Sequence, residues 1–161
     1  MNNALQKAID SLKIRDVYLR SSNASLEDDF EPKYDPDIDN LDTQIKHIVT
    51  SSNVLELLEE DDKHCIFRVF IDLGVRWVTH SPEENENEEP ETKAFIEGVM
   101  VAEYYMKSNP GPEALKLFAM QNASFHVWPY WREYVTSHCQ RMNLPKMVMP
   151  AVQFASNHDD D

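Results

Sequence analysis

Two histidine–cysteine pairs are the residues of this sequence whose types could do chemistry: His64 with Cys65, and His138 with Cys139. Imidazole and thiolate groups bind zinc, and a histidine can activate a neighbouring cysteine as a nucleophile. Adjacent side chains on a strand or a helix point in different directions, however, so one pair seldom supplies two ligands or a thiol with its base. The sequence places no carboxylate to orient either histidine, and its three glycines form no phosphate-binding loop. We therefore interpret these four residues as structural, and we predict no metal, no cofactor and no enzymatic activity.

A cluster of aromatic residues suits binding better than catalysis. Trp128, Tyr130, Trp131 and Tyr134 fall within seven positions, and methionines follow at positions 142, 147 and 149. Aromatic rings supply a large contact area at a small cost in conformational entropy, and methionine adapts to partners of different shape. For each aromatic residue taken singly, core packing or a subunit interface is a simpler role than direct contact with a ligand.

Length and composition describe one globular domain. The chain has 161 residues, of which 42% are hydrophobic and 27% charged, and we predict a single domain over residues 1–161. No apolar run reaches the roughly 18 residues of a membrane helix, and the first residues lack the apolar core of a secretory signal. We therefore expect a cytoplasmic protein whose two cysteines stay reduced. The net charge of −14 argues against a nucleic-acid partner, because phosphate binding needs a basic face.

The acidic residues are concentrated in three segments. Residues 27–42 hold eight acids against the single Lys33, residues 83–91 hold six, and the chain ends in three aspartates. One interpretation is that solvated loops keep an aggregation-prone protein soluble; the other is that an acidic face docks a basic partner. Residues 155–161 are predicted to form a disordered acidic tail.

The first acidic segment belongs to an irregular stretch, residues 21–42, that contains two prolines and widely spaced apolar residues. A linker would be more uniformly polar, so we expect a long loop lying on the body of the protein. Loops of this length in a compact domain are often functional. Four apolar residues in it have no helix or strand face to occupy and are therefore candidates for a binding surface: Leu26, Phe30, Tyr34 and Ile38.

Hydrophobic periodicity indicates one short helix, then strands, then helices. The predicted elements are a helix over residues 3–12 within the N-terminal segment 1–12, strands over residues 14–20, 44–58, 65–79 and 92–106, and a helix over residues 112–121. A break is expected near Ser51. A last helix is expected to start at Pro129, whose missing N–H costs little in a first turn, and to end at Pro145. Short or polar connections favour an antiparallel meander. This order predicts an α+β fold, a four-stranded antiparallel sheet with C-terminal helices packed on one face.

The string W-P-Y-W-R-E-Y-V-T-S, residues 128–137, resembles the F-P-Y-A-R-E-x-x-T-S helix start of the SecB family of export chaperones. Arg141 and Pro145 match the family's next arginine and proline, and residues 144–154 resemble its alternating apolar segment. Weaker matches lie in the loop at residues 30–38, which resembles the family's F-x-x-x-W-x-P-x-V loop, and in the strands. The resemblance covers roughly residues 17–154 and is most specific near its end.

The resemblance implies a non-enzymatic chaperone that assembles as a tetramer, a dimer of dimers, and holds unfolded clients in hydrophobic grooves. Some family members pass clients to the SecA translocase, and others protect an antitoxin. On this basis we predict client contacts at Leu26, Phe30, Tyr34, Ile38, Trp128, Met147 and Met149, partner docking at Glu27, and an oligomer interface at Tyr130, Trp131, Tyr134 and His138.

Departures from the family favour a solitary chaperone. The family continues past the equivalent of Phe154 with a helix that covers the groove, whereas a short acidic segment follows here, so we expect the last helix to be lacking. Asn23 and Gly98 stand where the family commonly has acids that dock the translocase.

Two function hypotheses remain. The first is an ATP-independent holdase that binds unfolded or nascent polypeptides and supports protein export. The alternative is a chaperone dedicated to one client such as an antitoxin, without SecA docking. A third class, an enzyme using the aromatic residues as a small-molecule pocket, lacks any convergent set of acid, base and nucleophile in the sequence.

Overall fold

The computed structural model describes residues 3–80, 89–147 and 149. The elements, in chain order, are helix α1 (Asn3–Ser11), strands β1 (Leu12–Leu26), β2 (Asp42–Glu59), β3 (Asp62–Val78) and β4 (Thr92–Met106), and helices α2 (Pro112–Gln121) and α3 (Ala123–Arg141). A short 3₁₀ turn, Ile38–Asn40, lies between β1 and β2. The tail 155–161, the part of the second acidic run at 83–88 and the family helix predicted to be lacking all fall outside the described residues.

The four strands form one antiparallel sheet in the order β1-β4-β3-β2. Strands β2, β3 and β4 are a meander, and β1 pairs with β4, which is the strand order of a Greek key. Residues 27–41 therefore cross from one edge of the sheet to the other, which accounts for the length of this connection. The predicted α+β fold is confirmed, and so is the antiparallel meander of β2 to β4; the place of β1 beside β4 was not predicted.

Strand β1 continues to Leu26, beyond the predicted end at Arg20. The added residues are small and polar, and Ser22 and Asn23 pair with Gly98 and Glu97 of β4. Such residues have low intrinsic preference for strands, so the pairing with β4 decides their conformation. The loop is consequently shorter than the sequence indicates.

A two-residue turn joins β2 to β3. Glu60 and Asp61 both have positive φ angles, 51° and 68°. This is the conformation of a type I′ turn, whose twist matches that of the flanking strands. Glu59 pairs directly with Asp62, so the turn consists of Glu60 and Asp61 alone.

The helices cover one face of the sheet, and the core lies between the two layers. On β3, every second residue from Phe67 to Trp77 is buried in this core. Trp77, Trp131 of α3 and Tyr104 of β4 are among the largest fully buried side chains. The strict alternation follows from the two-residue period of a strand, which sends the intervening residues to the opposite face.

Gly98 allows α3 to approach the sheet closely. A Cβ atom here would lie 3.1 Å from Leu19 Cδ1 and from the carbonyl oxygen of Ser21, and 3.3 Å from Trp131 Cζ3. A side chain would therefore push Trp131 away from β4. Because position 98 faces the helices, an acid there could not reach a docking partner, and Glu97 beside it points to the opposite face. The glycine at this position consequently says nothing against docking.

Helix α3 begins at Ala123, well before the predicted start at Pro129. Only Asn122 separates it from α2, and the N–H of Asn122 donates to the carbonyl of Phe118. Pro129 lies inside the helix and cannot donate to the carbonyl one turn earlier. Burial of Val127, Trp128 and Trp131 offsets this loss. The prediction was wrong because tertiary packing overrides the local preference of proline for a first turn.

Candidate binding groove

A groove of about 400 Å³ runs between strand β2 and helix α2. Residues 49–54 of β2 form one wall, and Pro112, Leu115, Lys116, Ala119 and Met120 of α2 form the other. Phe67 of β3 also lines the groove, and its ring is buried, as are the side chains of Leu115 and Ala119. Met120, by contrast, is 55% exposed. The groove therefore has an apolar floor and an apolar rim that water reaches.

Local features of the two elements produce this shape. A β-bulge at Thr50 shifts the register between Val49 and Ser51, and Thr50 Oγ1 donates to the carbonyl of Phe70 at 3.2 Å. A bulge bends its strand and leaves one residue unpaired. The residues at and after this bend, Thr50 to Asn53, are small and polar, and they line the groove. The other wall begins at Pro112, a residue suited to the first turn of a helix. The break predicted near Ser51 is confirmed, and it contributes one wall of the site.

Strand β2 is an edge of the described sheet and is 18 residues long. Its sequence contains no proline. Large apolar side chains are 37% to 75% exposed along it: Ile45, Ile48, Val54, Leu55 and Leu58. Soluble proteins usually protect a long edge with charges, proline or a covering segment. β2 carries the charges of Lys46 and Glu56 and one bulge, but its exposed apolar side chains still allow backbone pairing with an extended segment of another chain.

The loop between β1 and β2 is fastened to the body of the protein at its start. The N–H of Glu27 donates to the carbonyl of Lys93 at 2.9 Å, and Lys93 Nζ lies 3.4 Å from an oxygen of Asp29. Phe30 is 3% exposed and belongs to the core, whereas Tyr34 is 77% exposed. The loop therefore presents Tyr34 to solvent and uses Phe30 as an anchor.

Of the seven predicted client contacts, only Tyr34 has a mostly exposed side chain. Leu26, Ile38 and Met147 are half-buried against the core, and Phe30, Trp128 and Met149 are buried. The expectation that loop residues have no face to occupy is wrong for Phe30, because the loop lies flat enough on the sheet for its ring to enter the core. The described fold does not bring the seven residues together into one surface groove.

Two histidines link α3 to the sheet. His126 Nδ1 on α3 lies 2.7 Å from the hydroxyl of Tyr104 on β4, and His47 Nε2 on β2 lies 2.6 Å from Ser124 Oγ on α3. Burial lowers the pKa of both imidazoles. Both rings are consequently neutral near pH 7 and join the two layers through hydrogen bonds.

The outward side of α3 carries part of the predicted oligomer interface. Tyr130 is 55% exposed, whereas Trp131 has 0% exposure and offers no surface to a partner. Tyr134 is half-buried and stacks on Trp131, with ring centroids 5.4 Å apart, and on His138, with centroids 3.9 Å apart. His138 Nδ1 lies 2.9 Å from the carbonyl oxygen of Tyr134. Tyr130 is thus the member of the set that is free to contact another subunit, and Trp131 belongs to the core.

On the sheet face opposite the helices, the region around Val101 is covered by side chains of the sheet itself. Arg68 donates from Nε to Glu103 at 3.0 Å and from Nη2 to the hydroxyl of Tyr18 at 2.6 Å. The guanidinium of Arg68 also lies 5.0 Å from the ring centroid of Phe70. Val101 pairs in register with Tyr18 and Phe70 and has 0% exposure, although no described helix packs on this face. The side chains of neighbouring strands, with Arg68 lying over Phe70, therefore leave Val101 without exposure.

The side chains of the two histidine–cysteine pairs are buried or half-buried. Cys139 is buried, which raises the pKa of its thiol, and Cys65 is half-buried. Within residues 3–80, 89–147 and 149, no group of three or more His, Cys, Asp or Glu could hold a metal ion. In the same part of the chain, no helix is long and apolar enough to cross a membrane.

Sequence reasoning missed the α2 wall of the groove, including Lys116 and Met120. A usable signal was the distribution of apolar residues on β2, where Val54 and Leu55, and then Leu57 and Leu58, are adjacent rather than alternating. Adjacent apolar residues on a strand cannot both face one core, so part of the strand must meet something else.

Comparison with solved structures identifies the fold. No protein-family model and no curated protein matches the sequence. Among solved structures, the chain is similar to the SecB-like chaperone Rv1957 of Mycobacterium tuberculosis, determined in complex with a ChAD peptide from the HigA1 antitoxin. The TM-score is 0.67 and the identity 19%, over 94% of this chain and 98% of the other. The protein has the fold of the SecB-like chaperones.

Proposed function

We propose that the protein is a non-enzymatic, ATP-independent holdase that binds unfolded or nascent polypeptides. One observation carries the proposal: in a SecB-like fold, an apolar groove lies beside a long edge strand whose apolar side chains are exposed. A folded chain that served no partner would be expected to cover such a surface. A cytoplasmic location, expected from the sequence, belongs to the same proposal.

The groove offers two sources of affinity. Burial of apolar client side chains against Leu115 and Met120 contributes roughly 25 cal/mol for each Å² removed from water. Pairing of the client backbone with β2 adds hydrogen bonds that do not depend on the client's sequence. Together they suit a chaperone that must hold many sequences, because neither term demands a particular side chain.

The client contacts are accordingly reassigned in the proposal. Met120 and the exposed apolar residues of β2 form the principal surface, and Tyr34 extends it on the loop. Ile38, Leu26 and Met147 are half-buried and are retained as proposed secondary contacts outside the groove. Phe30, Trp128 and Met149 are buried, so their contribution is to support this surface from the core.

The test is protection of an unfolded model protein from aggregation, followed by light scattering. The wild-type protein should delay scattering, and Met120→Asp should weaken the delay because it puts a charge at the apolar rim. Gln121→Asp changes the charge by the same amount on the next, exposed residue of α2 and should leave protection intact. Absence of protection by the wild-type protein would reject the holdase.

A second candidate is a chaperone dedicated to a single client, such as an antitoxin. The observation that favours it is the similarity to a SecB-like chaperone that was solved with an antitoxin peptide bound. Competition separates the two candidates: unrelated unfolded chains should displace a client from a general holdase and should be ignored by a dedicated chaperone. A role in export with SecA remains part of the first candidate, with the exposed Glu27 as its proposed docking residue.

The proposed assembly is a homotetramer, a dimer of dimers. The exposed side of α3, with Tyr130 at its centre, is the proposed contact between subunits, and Tyr134 and His138 support it from the half-buried edge of that helix. Light scattering that gives the mass of a monomer would reject this assembly, whereas Tyr130→Asp should lower the mass of the wild-type oligomer.

A further inference from the structure

The groove is apolar in its depth, yet its rim carries a charge. Of the described residues that line it, only Lys116 is charged. Lys116 is exposed and forms no ion pair with another described residue. Lys116 and Leu115 both line the groove, so the charged side chain lies next to the apolar floor.

This cation is unusual for its surroundings, because the chain as a whole has a net charge of −14. At physiological ionic strength, charges more than about 8 Å away are largely screened, so a bound client responds mainly to the charges at the groove itself. Lys116 is the charge that lines the groove itself, so it favours a carboxylate there, against the opposing charge of Glu113 one turn earlier on α2 and the long-range field of the protein.

We propose that the groove selects client segments in which a large apolar side chain is adjacent to an acidic residue. The apolar side chain enters the groove against Phe67 and Leu115, and the carboxylate pairs with Lys116. This inference rests on the proposed function and names the class of segment that the site prefers.

The dimensions of the groove agree with such a segment. Its volume of about 400 Å³ exceeds that of any one amino-acid side chain, so it can take an apolar residue together with part of the backbone beside it. Successive side chains of an extended chain point to opposite sides, about 3.3 Å apart along the strand. When one side chain is inserted, its neighbours point away from the floor, and the exposed, flexible side chain of Lys116 at the rim can reach a neighbouring carboxylate.

The remaining polar groups of the site fit the backbone of the client. Ser51, Ser52 and Asn53 line the β2 wall and carry hydroxyl and amide groups. Pro112 marks the start of α2 at the groove, and the partial positive charge of a helix start has the same sign as Lys116. The helix start adds to the field at this end but would not by itself mark a site.

The test uses two labelled peptides that share a Leu-Phe-Leu core and carry either glutamates or lysines on both sides. Fluorescence anisotropy gives Kd for each peptide and hence the preference, the ratio of the two constants. The wild-type protein should prefer the glutamate peptide, and Lys116→Gln should lower the preference by about three- to fivefold, as expected for one exposed ion pair. Lys116→Glu should reverse it, and high salt should abolish it.

Lys13→Glu is the matched control. It changes the net charge as Lys116→Glu does, but it lies on β1 at the opposite edge of the sheet. The preference of this variant should stay within about twofold of the wild-type value. If both peptides bind but Lys116 variants leave the preference unchanged, the inference is wrong and the holdase stands. If neither peptide binds at all, the proposed function itself fails.

Discussion

The outer face of the sheet and the groove beside β2 both contain apolar strand residues that no described helix covers. On the outer face, Arg68, Glu103 and Tyr18 form a hydrogen-bonded network, and Val101, which pairs in register with Tyr18 and Phe70, has 0% exposure. Among the described residues that line the groove, no such network joins the side chains, and Met120 stays 55% exposed. Neighbouring side chains therefore cover the strand around Val101, and they leave the groove open.

The difference indicates which surface is available to a partner. An apolar surface sealed by ion-paired arginines must lose those pairs before anything can bind to it, at a cost of desolvating charges. An open groove requires no such loss, so its apolar area is free to bind a client. This difference is the reason why the groove, and not the region around Val101, is the proposed binding surface.

The largest expected effect concerns the face that the helices cover. Trp131→Ala removes a fully buried indole that packs against Gly98 and should lower the free energy of unfolding by about 3–5 kcal/mol in a urea titration. Tyr130→Ala, the exposed neighbour on the same helix, is the control and should cost less than about 1 kcal/mol in the monomer. Equal losses would contradict the assignment of Trp131 to the core.

A smaller loss is expected when the cover of the outer face is broken. Glu103→Ala removes the acceptor of Arg68, and the two side chains are only 16% and 14% exposed, so we expect a loss of about 1–3 kcal/mol in unfolding free energy. Glu97→Ala, whose side chain is 29% exposed, should cost less than about 1 kcal/mol. If Glu103→Ala is neutral, the network does not hold this face closed, and the outer face becomes a second candidate for binding.

The histidines predict a dependence of stability on pH. Burial lowers the pKa of His47 and His126 below the ordinary value of 6.5 in the folded protein. Below that value the unfolded chain binds protons that the folded protein does not, so stability is retained above about pH 6.5 and is lost as the pH falls. Thermal unfolding between pH 7 and 5 should show a falling midpoint, and His126→Gln should reduce the slope. An unchanged slope in both His126→Gln and His47→Gln would show that these rings are not responsible.

At the β2 edge, we expect the smallest change in stability together with a clear loss of client protection. Ile48→Lys replaces an exposed apolar side chain and should change the free energy of unfolding by less than about 0.5 kcal/mol while weakening protection of an unfolded protein several-fold. Ile14→Lys makes the same change on β1, the opposite edge, and should leave protection unaltered. Loss of protection in both variants would mean that the β2 edge is not special.

Some features followed from local sequence alone. The strand over Thr92–Met106, the bulge near Ser51 and the helix Pro112–Gln121 are found where periodicity and turn residues place them. In each case the signal lies in the residues of the element itself: alternating apolar side chains, small polar residues at a bulge, or a proline at a first turn.

Other features could not be read locally. The position of β1 beside β4 depends on which edge of the sheet remains open, and the burial of Phe30 depends on the path of the loop across the sheet. The early start of α3 at Ala123 depends on Trp128 and Trp131 packing around Pro129. Each outcome is decided by contacts between residues far apart in the sequence.

The sequence by itself therefore determined most of the secondary structure, the acidic character and the resemblance to SecB, because these follow from residue type and short-range spacing. Only the tertiary structure decided where the proposed client groove lies. The groove is made by Met120 of α2 and Val54 of β2, two elements whose residues are distant in the chain and meet only after the sheet and helices have packed. The exposure of a side chain likewise depends on how the layers pack. Phe30 is therefore buried against the core, whereas Met120 remains exposed.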